Sequence, residues 1–248
     1  MRVPILAANW KMNHGPTEAR AFMRQFLVAY TPRVDRTVMI FPTALAFSAV
    51  REITSGRPDI QLGVQNIASE AAGAFTGETS ASIAHDAGAT CVLVGHSERR
   101  HVFGETDGAT ARKCALAFDQ DLTPVLCVGE TLEERERGET EQVVIRQLRA
   151  GISELTAAQV NTIILAYEPV WAIWTGRNAT PHDATAVHRV LRAEVGSRGA
   201  QSVVPILYGG SVKPANAGGL LAADAVDGLL VGGASLTVES WMAIVTSV

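Results

Sequence analysis

The chain has 248 residues, with 21 Lys+Arg against 25 Asp+Glu, a formal net charge of −4, 47% hydrophobic and 19% charged residues. That balance excludes a disordered chain, the mild acidity with dispersed arginine leaves no footprint for nucleic acid, and no apolar stretch reaches the ~18 residues of a membrane span. Three widely spaced cysteines, Cys91, Cys114 and Cys127, fit neither a disulfide framework nor a CxxC metal site.

In chain order, eight short apolar runs read as strands: Ile5–Trp10, Thr37–Phe41, Ile60–Gln65, Cys91–Gly95, Thr123–Val128, Thr162–Tyr167, Val203–Tyr208 and Gly228–Val231. They are near-continuous rather than alternating, as expected of parallel strands buried on both faces. Among the stretches between them, Thr17–Tyr30 carries Ala19, Phe22, Phe26 and Tyr30 at helical spacing. Thr131–Ile152 reads as one helix, opening on Thr131 with Glu134 three residues on, a capping-box signature. Its charged half, Glu133–Glu141, reads as a solvated face, and Pro181–Val195 and Trp241–Val245 are further helical stretches.

Eight units in this length give about 31 residues each, the size of one βα repeat, with no linker or low-complexity block between them. The expected fold class is α/β: a closed (β/α)8 barrel of eight parallel strands ringed by helices, one domain over residues 1–248. An open doubly wound sheet, the alternative, would carry a glycine-rich fingerprint after its first strand, and Asn9-Trp10-Lys11-Met12-Asn13 is none. The start of the chain has no leader-like cleavage pattern, which reads as a cytoplasmic protein.

A barrel places function at the C-terminal ends of its strands. Asn9 and Lys11 follow the first strand, and in extended chain their side chains point the same way; Lys11 is either a charge for an anionic substrate or an ordinary surface lysine. After the fourth strand, His96 and Glu98 form either an acid/base pair or a structural histidine with a neighbouring carboxylate. Arg99 and Arg100 are expected to pair with carboxylates such as Glu98 or Glu105. Neither H-E-x-x-H nor P-C-x-x-C is present, so no metal is read. Glu168 ends the sixth strand among apolar neighbours, where burial is expected to raise its pKa and strengthen it as a base. Pro169 stiffens the exit, and the segment onward to Pro181 reads as a hinged lid. Gly209-Gly210-Ser211 and Gly232-Gly233 follow the last two strands, where barrel loops often hold phosphate through backbone N–H groups; each is alternatively a plain tight turn. Cys127 reads as a buried thiol rather than a nucleophile, Met12, Met23, Met39 and Met242 as core filler, and Trp10 and Trp171 as packing near the mouth. Together these residues suit proton transfer next to a carbonyl in a small phosphorylated substrate.

The segments Ala8–Asn13, Gly73–Glu78, Val94–Arg100, Ala166–Ile173, Tyr208–Val212 and Val231–Leu236, in this order, resemble the triosephosphate isomerase family along essentially the whole chain. The resemblance implies Glu168 as base, a neutral His96 that polarises the carbonyl, Lys11 stabilising negative charge, Asn9 adding a hydrogen bond and Glu98 supporting the site. It implies phosphate held at Ser211, Gly232, Gly233 and, in the lid, Trp174. The lid would comprise Pro169, Val170, Trp171, Ala172, Ile173, Trp174, Thr175, Gly176, Arg177, Asn178 and Ala179. No cofactor is implied. A homodimer is, with the loop Asn66–Thr79 carrying Phe75, Thr76 and Gly77 into the interface and Thr76 reaching Asn9 and Glu98 of the partner subunit. The family's lid usually reads Ala-Ile-Gly-Thr-Gly-Lys; here Trp174 replaces the first glycine and Arg177 the lysine. A Cβ at a position that needs φ > 0 would cost roughly 1–2 kcal/mol, about tenfold in rate, so impaired closure is expected. The alternatives are a non-catalytic phosphate-binding barrel and a different phosphate-binding barrel isomerase.

Overall fold

The computed structural model describes residues 3–173, 179–198 and 203–247. The strands are β1 (Ile5–Asn9), β2 (Thr37–Phe41), β3 (Ile60–Val64), β4 (Cys91–Val94), β5 (Thr123–Val128), β6 (Ile164–Tyr167), β7 (Ile206–Tyr208) and β8 (Gly228–Val231). They pair in sequence order, all parallel, and β8 closes on β1 with Ile5 opposite Gly228 and Ala8 opposite Val231. The helices are α1 (Pro16–Ala29), α2 (Ala44–Ile53), α3 (Ala81–Asp86), α4 (Ser97–His101), α5 (Asp107–Asp119), α6 (Leu132–Glu136), α7 (Thr140–Gly151), α8 (Ala157–Val160), α9 (Val170–Ile173), α10 (Pro181–Ser197), α11 (Pro214–Leu221) and α12 (Val238–Val245). The fold expectation thus holds, with strand ends trimmed by one to three residues.

Strand periodicity splits the apolar residues between two cores. Ile5, Ala7, Met39, Phe41, Cys91, Leu93, Val125, Cys127, Ile164, Ala166, Leu207 and Leu230 fill the barrel interior. The alternate positions, among them Leu6, Ala8, Val38, Ile40, Leu165 and Val231, pack outward under the helices with Trp10, Phe26 and Trp241. All three cysteines are buried in these layers, and burial pushes the Cys91 and Cys114 thiols up to about 12. Cys127 is likewise raised, which removes it as a nucleophile.

Two expectations about helix extent and core packing fail. The stretch 131–152 is not one helix: the Thr131–Glu134 capping box forms, but the helix stops after one turn at Arg137-Gly138, where Gly138 has φ 74. A glycine in the left-handed region ends a helix cheaply, and α7 then restarts with Val143, Val144, Gln147 and Leu148 buried. Met12 is not core filler but 94% exposed, because Lys11 before it adopts φ 51 and turns the chain out of the strand direction.

Candidate active site

The inward register that fills the barrel interior, continued by two residues, places Asn9, Gly95, Gly129, Glu168, Gly209 and Gly232 at the mouth. Most of that ring is glycine, and the space goes to Glu168. A Cβ on Gly129 would collide with the Glu168 carbonyl, and one on Gly209 would lie 2.8 Å from Glu168 Cγ.

Glu168 is 2% exposed. Its backbone N–H donates to Val128 O at 2.8 Å, one more rung after β6. Its Oε2 accepts the Ser97 N–H at 2.8 Å, and its Oε1 lies 3.0 Å from His96 Nε2. His96 caps α4: its Nδ1 accepts the Glu98 N–H at 3.2 Å, so that nitrogen carries no proton and Nε2–H is the donor towards Glu168. Burial pushes the Glu168 pKa up, but the facing imidazole, the Ser97 N–H and the Lys11 ammonium outweigh it, leaving the carboxyl below its ordinary value. The rise expected from burial alone is therefore corrected. Burial pushes His96 down, and the Glu168 carboxylate outweighs that and holds it above the ordinary histidine value.

Lys11 Nζ donates to Glu98 Oε1 at 2.8 Å. Its left-handed backbone, which costs a non-glycine residue roughly 1–2 kcal/mol, is clamped on both sides. Lys11 N–H donates to Asn9 Oδ1 at 3.0 Å, and Gln65 Nε2 donates to Lys11 O at 2.9 Å. Asn9 and Lys11 therefore meet the cavity through this turn, not through extended chain. Sequence reasoning passed over Gln65 as a clamp; its only signal was a polar residue ending an apolar run. Glu98 serves Lys11, while Arg99 pairs with Glu105 at 3.2 Å and Arg100 with Asp107 at 2.8 Å.

Asn9, Lys11, His96, Glu168, Gly209, Gly210, Ser211, Gly232 and Gly233 line one cavity of about 460 Å³. Its far end is formed largely by these glycines, with Val212, Lys213, Pro214 and Ser240 also on the lining. Gly210 lies so close to the Tyr208 ring that only glycine fits, and a 3-10 turn over Gly233–Ser235 starts immediately after Gly232. Of the lid, Pro169 follows Glu168, Val170–Ile173 form the short helix α9, and Ala179 is buried before the Thr180 cap of α10. Trp174, Thr175, Gly176, Arg177 and Asn178 lie outside the described residues. Trp171 Nε1 donates to the fully buried Glu130 at 2.9 Å, as does Tyr167 OH at 3.1 Å, and the Arg135 guanidinium lies over the Trp171 ring.

Phe75, Thr76 and Gly77 sit on the exposed loop that Ala68 N–H···O=C Thr79 closes at 2.8 Å, with Gly73 and Gly77 at positive φ. Among the described residues no group of His, Cys, Asp and Glu could hold a metal ion, and no helix is long and apolar enough to cross a membrane.

A model of the triosephosphate isomerase family matches residues 4–248. The chain is 46% identical over 248 residues to a triosephosphate isomerase of Roseiflexus sp. (strain RS-1), covering 99% of this chain and 97% of the relative. It is 47% identical to one from Carboxydothermus hydrogenoformans, over 99% and 98% of the two chains. The chain belongs to the triosephosphate isomerase family.

Proposed function

We propose that this member of the family interconverts dihydroxyacetone phosphate and D-glyceraldehyde 3-phosphate, with Glu168 as the proton-transferring base. The observation that carries the reading is one cavity lined at one end by Lys11, His96 and Glu168 and at the other by Gly209–Ser211 and Gly232–Gly233. Glu168 takes a proton from C1 of the ketose and returns it at C2, through an enediolate. His96 Nε2–H and Asn9 donate hydrogen bonds to the reacting oxygens, and the Lys11 ammonium, fixed by Glu98, stabilises the oxyanion. The phosphate takes backbone N–H groups at Ser211, Gly232 and Gly233. No cofactor takes part.

In the described arrangement the carboxylate rests on two donors, Ser97 N–H and His96. Turning towards a substrate carbon releases both while burial persists, so the carboxylate becomes a stronger base as it engages. The same turn removes the Glu168 carboxylate from His96, leaving burial, the Glu98 N–H and Lys11 to favour the neutral ring that polarises the carbonyl, opposed by the Glu98 carboxylate. The test is turnover of glyceraldehyde 3-phosphate beside Glu168→Gln, which is expected to lose about a thousandfold in kcat. Phosphate binding without turnover in the parent chain would favour a non-catalytic barrel instead.

The effect of Trp174 on closure rests on sequence alone. Trp174→Gly is expected to raise kcat about tenfold, and an unchanged or lower rate discards it. A cytoplasmic homodimer of single-domain chains, each a barrel over 1–248, completes the reading. It is supported by a socket of about 230 Å³ lined by Lys11, Met12, Gln65, Glu98, Arg99 and Phe103, sized for a loop tip such as Thr76, and by Met12 and Phe103 exposed at 94% and 66%. Sedimentation at monomer mass would overturn the dimer.

A further inference from the structure

We infer that Gln147, on α7 outside the barrel, is a positioning residue for the base, acting through the backbone of Gly129. The inference rests on the reading of Glu168 as that base.

Regular pairing in β5 ends at Val128, whose carbonyl takes the Glu168 N–H. Beyond it, the N–H and C=O of Gly129 are both taken by one buried side chain. Gly129 N–H donates to Gln147 Oε1 at 2.8 Å, and Gln147 Nε2 donates to Gly129 O at 3.2 Å. Gln147 is 4% exposed. A carboxamide is the side chain that offers an acceptor and a donor on one rigid plane, so it stands in for the missing strand.

Gly129 is a consequential place for such a clamp. Its Cα presses on the Glu168 carbonyl with no room for a Cβ. The three residues 128–130 also hold the whole turn that carries the base. Val128 O takes Glu168 N–H, Glu130 O takes Val170 N–H at 3.1 Å, and the Glu130 carboxyl takes Tyr167 OH and Trp171 Nε1. Residues 167, 168, 170 and 171 therefore all hang from a three-residue shelf whose middle peptide groups Gln147 fixes. The helix from which it reaches is itself set on the barrel wall: a Cβ on Gly151, one turn further on, would meet Leu126 of β5 at 2.5 Å. Removing the clamp would leave two buried backbone groups without partners directly beneath the base, and a shelf that shifts to satisfy them carries Glu168 with it. Displacement of a reacting group by about 1 Å can cost about a hundredfold in rate. The phosphate end hangs from β7 and β8 and meets the turn that carries the base through one backbone bond, Gly209 N–H to Tyr167 O at 2.7 Å.

The experiment is a double-mutant cycle on the full chain. Gln147→Leu, which keeps the buried volume and removes both hydrogen bonds, is expected to lower kcat by about tenfold or more while KM and the Kd for inorganic phosphate stay within about twofold. Combined with Glu168→Asp, whose base is already displaced, the same change is expected to cost far less. Combined with Ser211→Ala at the phosphate end, it is expected to cost its full amount. A folded Gln147→Leu protein with kcat near that of the parent overturns the inference. So does a loss shared between kcat and phosphate affinity, or full additivity with Glu168→Asp, since each marks general loosening. If Gln147→Leu does not fold, Gln147→Glu keeps the side-chain length and the acceptor for Gly129 N–H, and the same cycle is run on it with the same outcomes. Retained activity in Glu168→Gln, measured alongside, would sink the assignment of the base itself and is read separately from the cycle.

Discussion

At the carbonyl end of the cavity, Lys11, His96 and Glu168 bring three ionisable side chains together, each already held by a partner: Glu98, the Glu98 N–H and the Ser97 N–H. At the phosphate end, Gly209–Ser211 and Gly232–Gly233 bring mostly bare backbone. The first end needs charges that respond to one another, so its geometry is over-determined by hydrogen bonds. The second needs only N–H groups that an anion can approach, so it is built by leaving side chains out. Substitutions should therefore act by different routes at the two ends: by lost or mispaired charge at one, by added bulk at the other.

Lys11→Met gives the largest contrast. It removes the cation and leaves Glu98 without it, and kcat is expected to fall about 10²–10³-fold. Lys11→Arg should not restore the rate, because a planar guanidinium cannot take the place of a compact ammonium on a clamped backbone; full rescue in steady-state kinetics would show that charge alone suffices there. Next comes Gly209→Ala, which sits at the boundary between the two ends. Its new Cβ would lie 2.8 Å from Glu168 Cγ, so the loss, about tenfold or more, should fall on kcat. A loss confined to KM would place Gly209 wholly at the phosphate end and blur the comparison. Gly232→Ala adds a Cβ 3.2 Å from Lys11 Cε, whereas one on Gly233 meets nothing within 4 Å. Gly233→Ala should therefore stay within about twofold of the parent, and Gly232→Ala should be the worse of the two. Equal effects would mean that side-chain crowding is not what separates these glycines.

The smallest effect at neutral pH lies just behind the base, where His188 packs edge-on to Tyr167 at full burial. Its Nδ1 lies 3.0 Å from Ala225 O, and burial pushes its pKa down to about 4. Above pH ~6.5 the ring is neutral in both folded and unfolded chains. Between ~6.5 and ~4 the unfolded chain takes up a proton that the folded one refuses, so stability falls with pH by up to about 3 kcal/mol. Urea unfolding at pH 7, 5.5 and 4 should show this decline in the parent, reduced by one proton's worth in His188→Gln. An unchanged slope in the variant would clear His188 of the effect.

The strands were legible because a wall buried on both faces writes a near-continuous apolar run into each of them. The inward period of two within those runs, continued past Ala7, Ala166, Leu207 and Leu230, reaches Asn9, Glu168, Gly209 and Gly232. What lay beyond reading were effects of neighbours distant in sequence. The net direction of the Glu168 shift depends on Ser97 and His96, which arrive from β4. The exposure of Met12 depends on a left-handed Lys11 held by Gln65. The break at Gly138 had only a glycine as its signal, and the Thr131–Glu134 capping box marks where a helix starts, not where it stops. Gln147 carries no local signal at all: a glutamine on a helix is ordinary until Gly129 is found beneath it.

The three cysteines, sealed in the two cores, give the molecule a concealed reporter. Burial pushes the Cys91 and Cys114 thiols up to about 12, which keeps them protonated at neutral pH, and both are buried in the closed barrel. An alkylating label therefore reads how often the wall parts rather than how the surface reacts, and its rate against label concentration separates slow opening from rapid breathing.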